Sequence, residues 1–228
     1  MYYNQLNREQ ENSRRIYILA KDLSLRIKSI CPNAQLGLDI GCQEGQITEK
    51  ISDNLGISFV GIEPDLNAVL HASTKIKAIQ GTANNLPFPN SSVDLVTVIS
   101  VIEHIPPSDL LSSFNEIFRV LKPGGYCIGQ IPNMNFPIEV HSRLPFQQFL
   151  PPIVQDKYLN LFSKDKNLKT SWYRTSIKKV LKYATEVGFR DIASSTYLYP
   201  KDVFSSKYHA LYWVLKIFPL DYIFWFKK

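Results

Sequence analysis

Apolar positions along the middle of the chain alternate between two periods. LGLDIG (36–41) is a short apolar run of strand type; after it Ile47, Ile51 and Leu55 recur every four residues, one face of a helix that Gly56 would stop. SFVGIE (58–63) predicts a second strand, KAIQG (77–81) a shorter third, and the continuous apolar run VDLVTVISV (93–101) a central strand buried on both faces. Pro106, Pro107, Ser108 and Asp109 introduce a helix whose buried side would carry Leu110, Phe114, Ile117, Phe118 and Leu121. Lys122, Pro123, Gly124 and Gly125 end that helix, and YCIGQI (126–131) follows as another strand. Strands alternating with helices in this way predict an α/β fold, a Rossmann-like, mostly parallel sheet flanked by helices.

The pattern changes after Asn133. Residues 133–172 are aromatic and proline-rich, too long for an ordinary connection and too apolar for a flexible linker, and read as an aromatic lid insertion over the sheet. Thr175 is placed to cap a helix with Ile177, Val180, Leu181 and Ala184 on its inner face and Gly188 at its end; Phe189–Leu198 would add one more strand. From Val203 to Lys228, Phe204, Tyr208, Leu211, Tyr212, Leu215 and Phe218 stand at helical spacing before a final FWFKK, which predicts a C-terminal helical segment. Two uses of it stay open: peripheral contact with a membrane interface, or a helix closing the core or contacting another copy in a homo-oligomer. Pro219 and Asp221 argue against a spanning helix. One domain over residues 1–228 is expected, with an N-terminal helical segment (1–30), a cofactor-binding core (31–132), the acceptor lid (133–172), and a helix, strand and amphipathic tail (173–228).

Length and composition agree with this picture, since 228 residues with 45% apolar content can bury one sizeable core. The net charge of +6 is uneven: six basic and three acidic residues in 1–30, six and eleven in 31–150, fourteen and six in 151–228. Basic flanks around an acidic middle suit an anionic substrate or surface, although a scattered excess of this kind is ordinarily a solvated face, and nucleic acid is not the expected partner. Cys31, Cys42 and Cys127 are odd in number and widely spaced, suggesting neither a disulfide framework nor a metal cluster, and the first twenty residues lack the apolar run of a secretory signal. A cytoplasmic protein is the expectation, with peripheral membrane contact through the tail as its variant.

The chemistry concentrates in LDIGCQEGQIT, where Gly41 and Gly45 lie between a buried strand and an amphipathic helix. Glycines there let backbone approach a ligand at the carboxyl end of a parallel sheet, and the spacing is not the G-x-G-x-x-G of dinucleotide enzymes. Glu63 ends the second strand, where a carboxylate can accept both hydrogens of a ribose diol. With these residues in place, four ordered segments over 36–132 (LDIGCQEG, GIEPD, GTANNLPFPNSSVDLVTVISVIEHI and FRVLKPGGYCIGQIPN) resemble the class I S-adenosylmethionine (SAM)-dependent methyltransferases, of the methyltransferase type 11 kind. The resemblance implies SAM as cofactor, with Asp39, Gly41, Gln43 and Gly45 around its methionine part and Glu63 on the ribose. Pro64 and Asp65 would border the adenosine, Thr82 and Ala83 would sit beside adenine, and Ser100 to His104 would floor the site. The chain departs from the family at Gln43, where a third glycine is usual, and at Thr82, where an acidic residue is usual.

Methyl transfer needs chiefly alignment in a dry pocket, and a hydroxyl acceptor adds the need for a base. His104, after the central strand, and His141, flanked by Glu139 and Arg143, are the two candidates; Glu139, His141 and Arg143 also form the candidate contact set for the acceptor. No metal-ligand spacing stands out. The leading expectation is methyl transfer to oxygen on a small or lipid-linked acceptor such as a sugar, glycolipid or quinone-like compound. A degenerate binding module on the same fold and an RNA methyltransferase are the alternatives.

Overall fold

Alternation along each strand decides which side of the sheet every residue meets. The computed structural model describes residues 2–137, 142, 144–163, 172–199, 212 and 219–228. Its elements run α1 (Tyr2–Ile30), β1 (Leu36–Ile40), α2 (Gln46–Leu55), β2 (Ser58–Glu63), α3 (Leu66–Ala72), β3 (Lys77–Gln80) and β4 (Val93–Ile99). They continue with α4 (Leu110–Val120), β5 (Leu121–Pro132), α5 (Pro152–Phe162), α6 (Ile177–Val187), β6 (Arg190–Tyr197) and β7 (Asp221–Lys227). Seven strands form one sheet in the order β3-β2-β1-β4-β5-β7-β6, parallel from β3 to β5, with β7 antiparallel to both of its neighbours. The expected α/β fold is therefore present.

One face of the sheet, carrying Leu38, Ile40, Val60, Ile62, Val96 and Val98, packs with Leu110, Phe114 and Ile117 of α4 and Val180 and Ala184 of α6. The other face, with Phe59, Leu95, Ile128 and Ile223, meets Leu19, Ala20, Leu23 and Ile27 of α1 together with Ile51 of α2. Those α1 residues recur at helical spacing, so a single stripe of a long helix is buried. At the carboxyl ends of the strands this second face turns polar: Asp39, Thr97, Glu63, Gln130 and Asp221 are all buried.

Four details differ from the sequence reading. β4 stops at Ile99 because Ser100 adopts a left-handed backbone, φ 54°, which turns the chain out of the sheet. Leu121 opens β5 instead of closing α4, and pairing jumps from Val93–Leu121 to Leu95–Tyr126, so Lys122–Gly125 forms a bulge. Ser176, not Thr175, caps α6, its hydroxyl accepting from the Lys179 amide at 3.3 Å while Thr175 is buried.

The largest correction is the tail. Asp221–Lys227 is not part of an amphipathic helix but the strand between β5 and β6, with Phe224 and Phe226 fully buried on the α4/α6 face. Tyr212 is helical, and the rest of the segment from Val203 to Phe218 lies outside the described residues. Phe224 and Phe226 of the FWFKK end are thus core and unavailable to a membrane interface.

Candidate functional site

The order of strands reverses between β1 and β4, and in an open α/β sheet that is where a crevice opens beyond the carboxyl ends. A cavity of about 340 Å³ lies there, bounded by Ile40 and Gly41 after β1, Ile62 and Pro64 after β2, and Gly81 to Asn84 after β3. Val101, His104, Ile105, Pro106, Asp109 and Ser113 close its other side. Its size and its apolar wall with a few polar groups suit a small-molecule ligand.

The turn after β1 is built from three left-handed residues at alternate positions, Gly41 (φ 71°), Gln43 (φ 49°) and Gly45 (φ 75°). Gly41 also has no room for a side chain, since a Cβ there would stand 2.3 Å from Cγ2 of Val101. Glycine at 41 therefore lets the end of β1 lie against the segment leaving β4, and the cavity forms at that junction. The Cys42 thiol beside it is pushed up to about 12, by burial first and then by Asp39 and Glu63, so it remains a neutral thiol.

Two buried carboxylates hold the site from below. Asp39 accepts from the hydroxyls of Thr48 and of Thr97 (2.5 Å), tying α2 and β4 to β1. Burial pushes its acid up to about 6 against the lowering effect of those two bonds, with the Glu63 charge adding to the rise. Glu63 accepts through one oxygen from the Gln43 amide (3.0 Å) and through the other from the Asp65 amide (3.1 Å). One carboxylate thereby spans the glycine turn and the turn that starts α3, and each oxygen retains a further lone pair for a ligand hydroxyl.

A second polar chain runs away from the cavity. The Ser100 hydroxyl donates to Oε1 of Gln130 at 2.5 Å, and Nε2 of Gln130 donates to Asp221 at 2.6 Å. Burial pushes Asp221 up to about 6, opposed by the charge of Arg15 and by the Gln130 bond. Arg15 of α1 stands 4.9 Å above the ring of Tyr199, which packs edge-on against Tyr197.

Of the residues singled out in the sequence, Gly41, Pro64, Thr82, Ala83 and His104 share the cavity, while Asp39, Gln43, Gly45, Glu63 and Asp65 frame it. Ser100 is not on the cavity wall; its hydroxyl turns to Gln130. Thr82 donates to Asn84 at 2.8 Å, bringing an amide group to the wall where the resemblance implied a carboxylate. Glu139, His141 and Arg143 lie outside the described residues. Val101 lines the cavity within the expected floor 100–104, whereas Ile105, Asp109 and Ser113 were missed as lining residues although they follow it closely. Sequence reading also missed the pairing of Gln130, which lies within the fourth segment of the resemblance, with Asp221, which lies outside all four. Among the described residues no three His, Cys, Asp or Glu side chains converge on a common metal position.

Residues 38–129 match the family model described as a methyltransferase domain. Over that stretch the chain carries a methyltransferase domain and is similar to SAM-dependent methyltransferases. It is 34% identical over 99 residues to a probable S-adenosylmethionine-dependent methyltransferase of Mycolicibacterium smegmatis, covering 42% of this chain and 37% of that protein. A demethylmenaquinone methyltransferase of Lactococcus lactis is 37% identical over 98 residues, covering 39% and 38%. The matched stretch thus spans less than two fifths of the length of either relative. A demethylmenaquinone methyltransferase of Staphylococcus epidermidis matches more of both chains, 70% and 71%, at 29% identity.

Among solved structures, a SAM-dependent methyltransferase of Thermotoga maritima, titled a possible histamine N-methyltransferase, superposes with TM-score 0.62 at 17% identity over the whole of both chains. Phosphoethanolamine N-methyltransferase 2 of Haemonchus contortus, solved with S-adenosyl-L-methionine, superposes with TM-score 0.62 at 19% identity, covering 91% of this chain and 52% of that one. At these identities the likeness shows the fold alone. SAM is the cofactor of the methyltransferase family, and the residues present fit it. A carboxylate with spare lone pairs stands beside an apolar cavity of suitable size, next to a turn that glycine keeps open at 41.

Proposed function

We propose that this chain transfers a methyl group from SAM to an acceptor oxygen on a small or lipid-linked compound, of quinone-like, sugar or glycolipid type. The observation that carries the reading is the cavity at the β1/β4 reversal, with Gly41 packed on Val101 and Glu63 bridging the two turns beside it. When bound, SAM supplies a sulfonium-activated methyl group.

The chain's own residues would do the rest. Glu63 would accept from the ribose hydroxyls, and the backbone from Gly41 to Gly45 would hold the methionine end. Pro64, Thr82, Ala83 and Asn84 would border the adenosine. Val101, Ile105 and Pro106 keep the reacting side apolar, which excludes water and strengthens alignment of an acceptor with the methyl group. His104, exposed on the same wall, would take the proton of an acceptor hydroxyl. The quinone-like acceptor draws support from the demethylmenaquinone methyltransferases among the relatives, and the wider lipid class from a sterol 24-C-methyltransferase of Pneumocystis carinii.

Calorimetric titration with SAM and S-adenosylhomocysteine, repeated with Glu63→Ala and Gly41→Val, tests the cofactor site. Saturable binding lost in both folded variants supports it. A demonstrably folded wild-type protein that binds neither compound overturns it. Turnover of SAM in a screen of quinone-like, sugar and glycolipid hydroxyls then tests the acceptor class.

A further inference from the structure

Helix α5 is apolar on the side it buries and also on the side it exposes. Leu159 is inserted into a small cluster with Met134 and Trp172. On the outer side, residues three and four apart form two rows, Ile153–Lys157–Leu161 and Val154–Tyr158–Phe162. Ile153 is 82% exposed, Leu161 70% and Phe162 57%, so the outer rows are solvent-facing hydrocarbon with one lysine in their midst. A soluble surface seldom presents such a stripe without a use for it.

The stripe continues onto the turn before the helix. Tyr158 donates to the Pro145 carbonyl at 3.0 Å, and the next residues present Phe146 at 61% exposure and Phe149 at 43%. Phe146 holds a left-handed backbone, φ 59°, a strained conformation for a bulky residue, and its ring is still turned outward. The Arg174 guanidinium lies 4.9 Å over the Phe149 ring, bringing a second cation to the patch. The chain from 151 to 228 carries fourteen basic and six acidic residues.

We propose that this face docks on an anionic phospholipid surface, with the α5 rows entering the headgroup boundary and Lys157 and Arg174 reaching lipid phosphates. Hydrocarbon beside cations is the chemistry of an interfacial helix, in which a lysine stem lies along the apolar zone and its ammonium reaches the charged layer. A second copy of this chain fits less well, because a two-fold contact would bury the Lys157 and Arg174 charges twice over in an otherwise apolar interface. No helix among the described residues is long and apolar enough to cross a membrane, so the contact is peripheral. It uses the insertion after β5, not the strand-forming end of the tail.

The test is co-sedimentation of the full chain with vesicles of phosphatidylcholine alone and of phosphatidylcholine mixed with phosphatidylglycerol. Three proteins are compared: wild type, the double variant Ile153→Glu/Leu161→Glu, and Leu70→Glu, which puts one such charge on the exposed face of α3. The expected result is binding to the anionic vesicles, reduced at least about tenfold in the double variant and unchanged in Leu70→Glu. Unchanged melting temperatures confirm that the variants fold. Wild type that ignores anionic vesicles, or a double variant that binds them as wild type does, overturns the proposal. So does a wild-type dimer that Ile153→Glu separates, since the face would then be a protein interface. The readout needs no methyl transfer, so it stands or fails apart from the proposed activity.

Discussion

Gln130 and Asp221 are joined by a 2.6 Å hydrogen bond, although 91 positions separate them in the chain. The bond locks the end of β5 to the start of β7 and, through the Ser100 hydroxyl on the same glutamine, the exit of β4 as well. Because burial raises the Asp221 acid from 3.8 to about 6, the folded protein holds more protons than the unfolded one between those values. Stability from this group is therefore greatest at low pH and declines as pH rises through that window, by up to about 3 kcal/mol. Asp221→Asn keeps an acceptor for Gln130 and removes the ionisation. Urea melts across the window are expected to show a flatter pH dependence and higher stability near neutral pH than wild type. An unchanged slope would show that Asp221 ionises as freely in the folded chain as in the unfolded one.

Glu63→Gln replaces one acceptor oxygen by an amine that faces a backbone donor, either of Gln43 or of Asp65. A buried donor left without an acceptor costs about 1–3 kcal/mol, so melting should fall and SAM affinity should drop roughly tenfold to a hundredfold. Calorimetry and thermal melts of the same preparation separate the two effects. Equal SAM affinity in the variant would remove Glu63 from the cofactor site.

Gln43 occupies the middle of three left-handed positions, a backbone conformation that costs a side-chain-bearing residue about 1 kcal/mol. Gln43→Gly relieves it, against a smaller loss from the freer unfolded chain. A modest rise in melting temperature is expected, with SAM binding a few-fold tighter. Weaker binding would show that the glutamine side chain itself contacts the cofactor.

Gly37 and Gly129 are both packed within strands, yet alanine should be unequal at the two. The atoms nearest a Cβ at 37 belong to the Phe59 ring, the first at 2.4 Å, and a ring can move. A Cβ at 129 meets the Phe224 ring at 2.2 Å and also the Val98 carbonyl at 2.4 Å, which belongs to the neighbouring β4 backbone. Gly129→Ala should therefore cost about 3 kcal/mol or more, at the upper end of overpacking, with Gly37→Ala clearly milder. Denaturant midpoints of the two variants check the order.

How much of this was legible in the chain follows from the range of the interactions involved. The strands β1 to β4, helices α2 and α4, the glycine turn and Glu63 announce themselves because each depends on neighbours a few residues away: apolar periods, caps and positive-φ positions; the short helix α3 did not. Their order also revealed the parallel core and the resemblance to a cofactor-binding family. The final strand was not legible. DYIFWFK is apolar on both faces, since β7 lies inside the sheet, so it lacks the alternation that marks a half-buried strand and its register is set by β5 and β6. The left-handed turn at Ser100, the Gln130–Asp221 bond and the raised acids of Asp39 and Asp221 likewise exist only once distant segments meet. The sequence by itself determined most of the local elements of the parallel core and the resemblance to a cofactor-binding family. Tertiary structure decided which carboxylates are desolvated, which strand completes the sheet, and that the exposed hydrocarbon lies on α5, because burial and long-range pairing are properties of the packed chain.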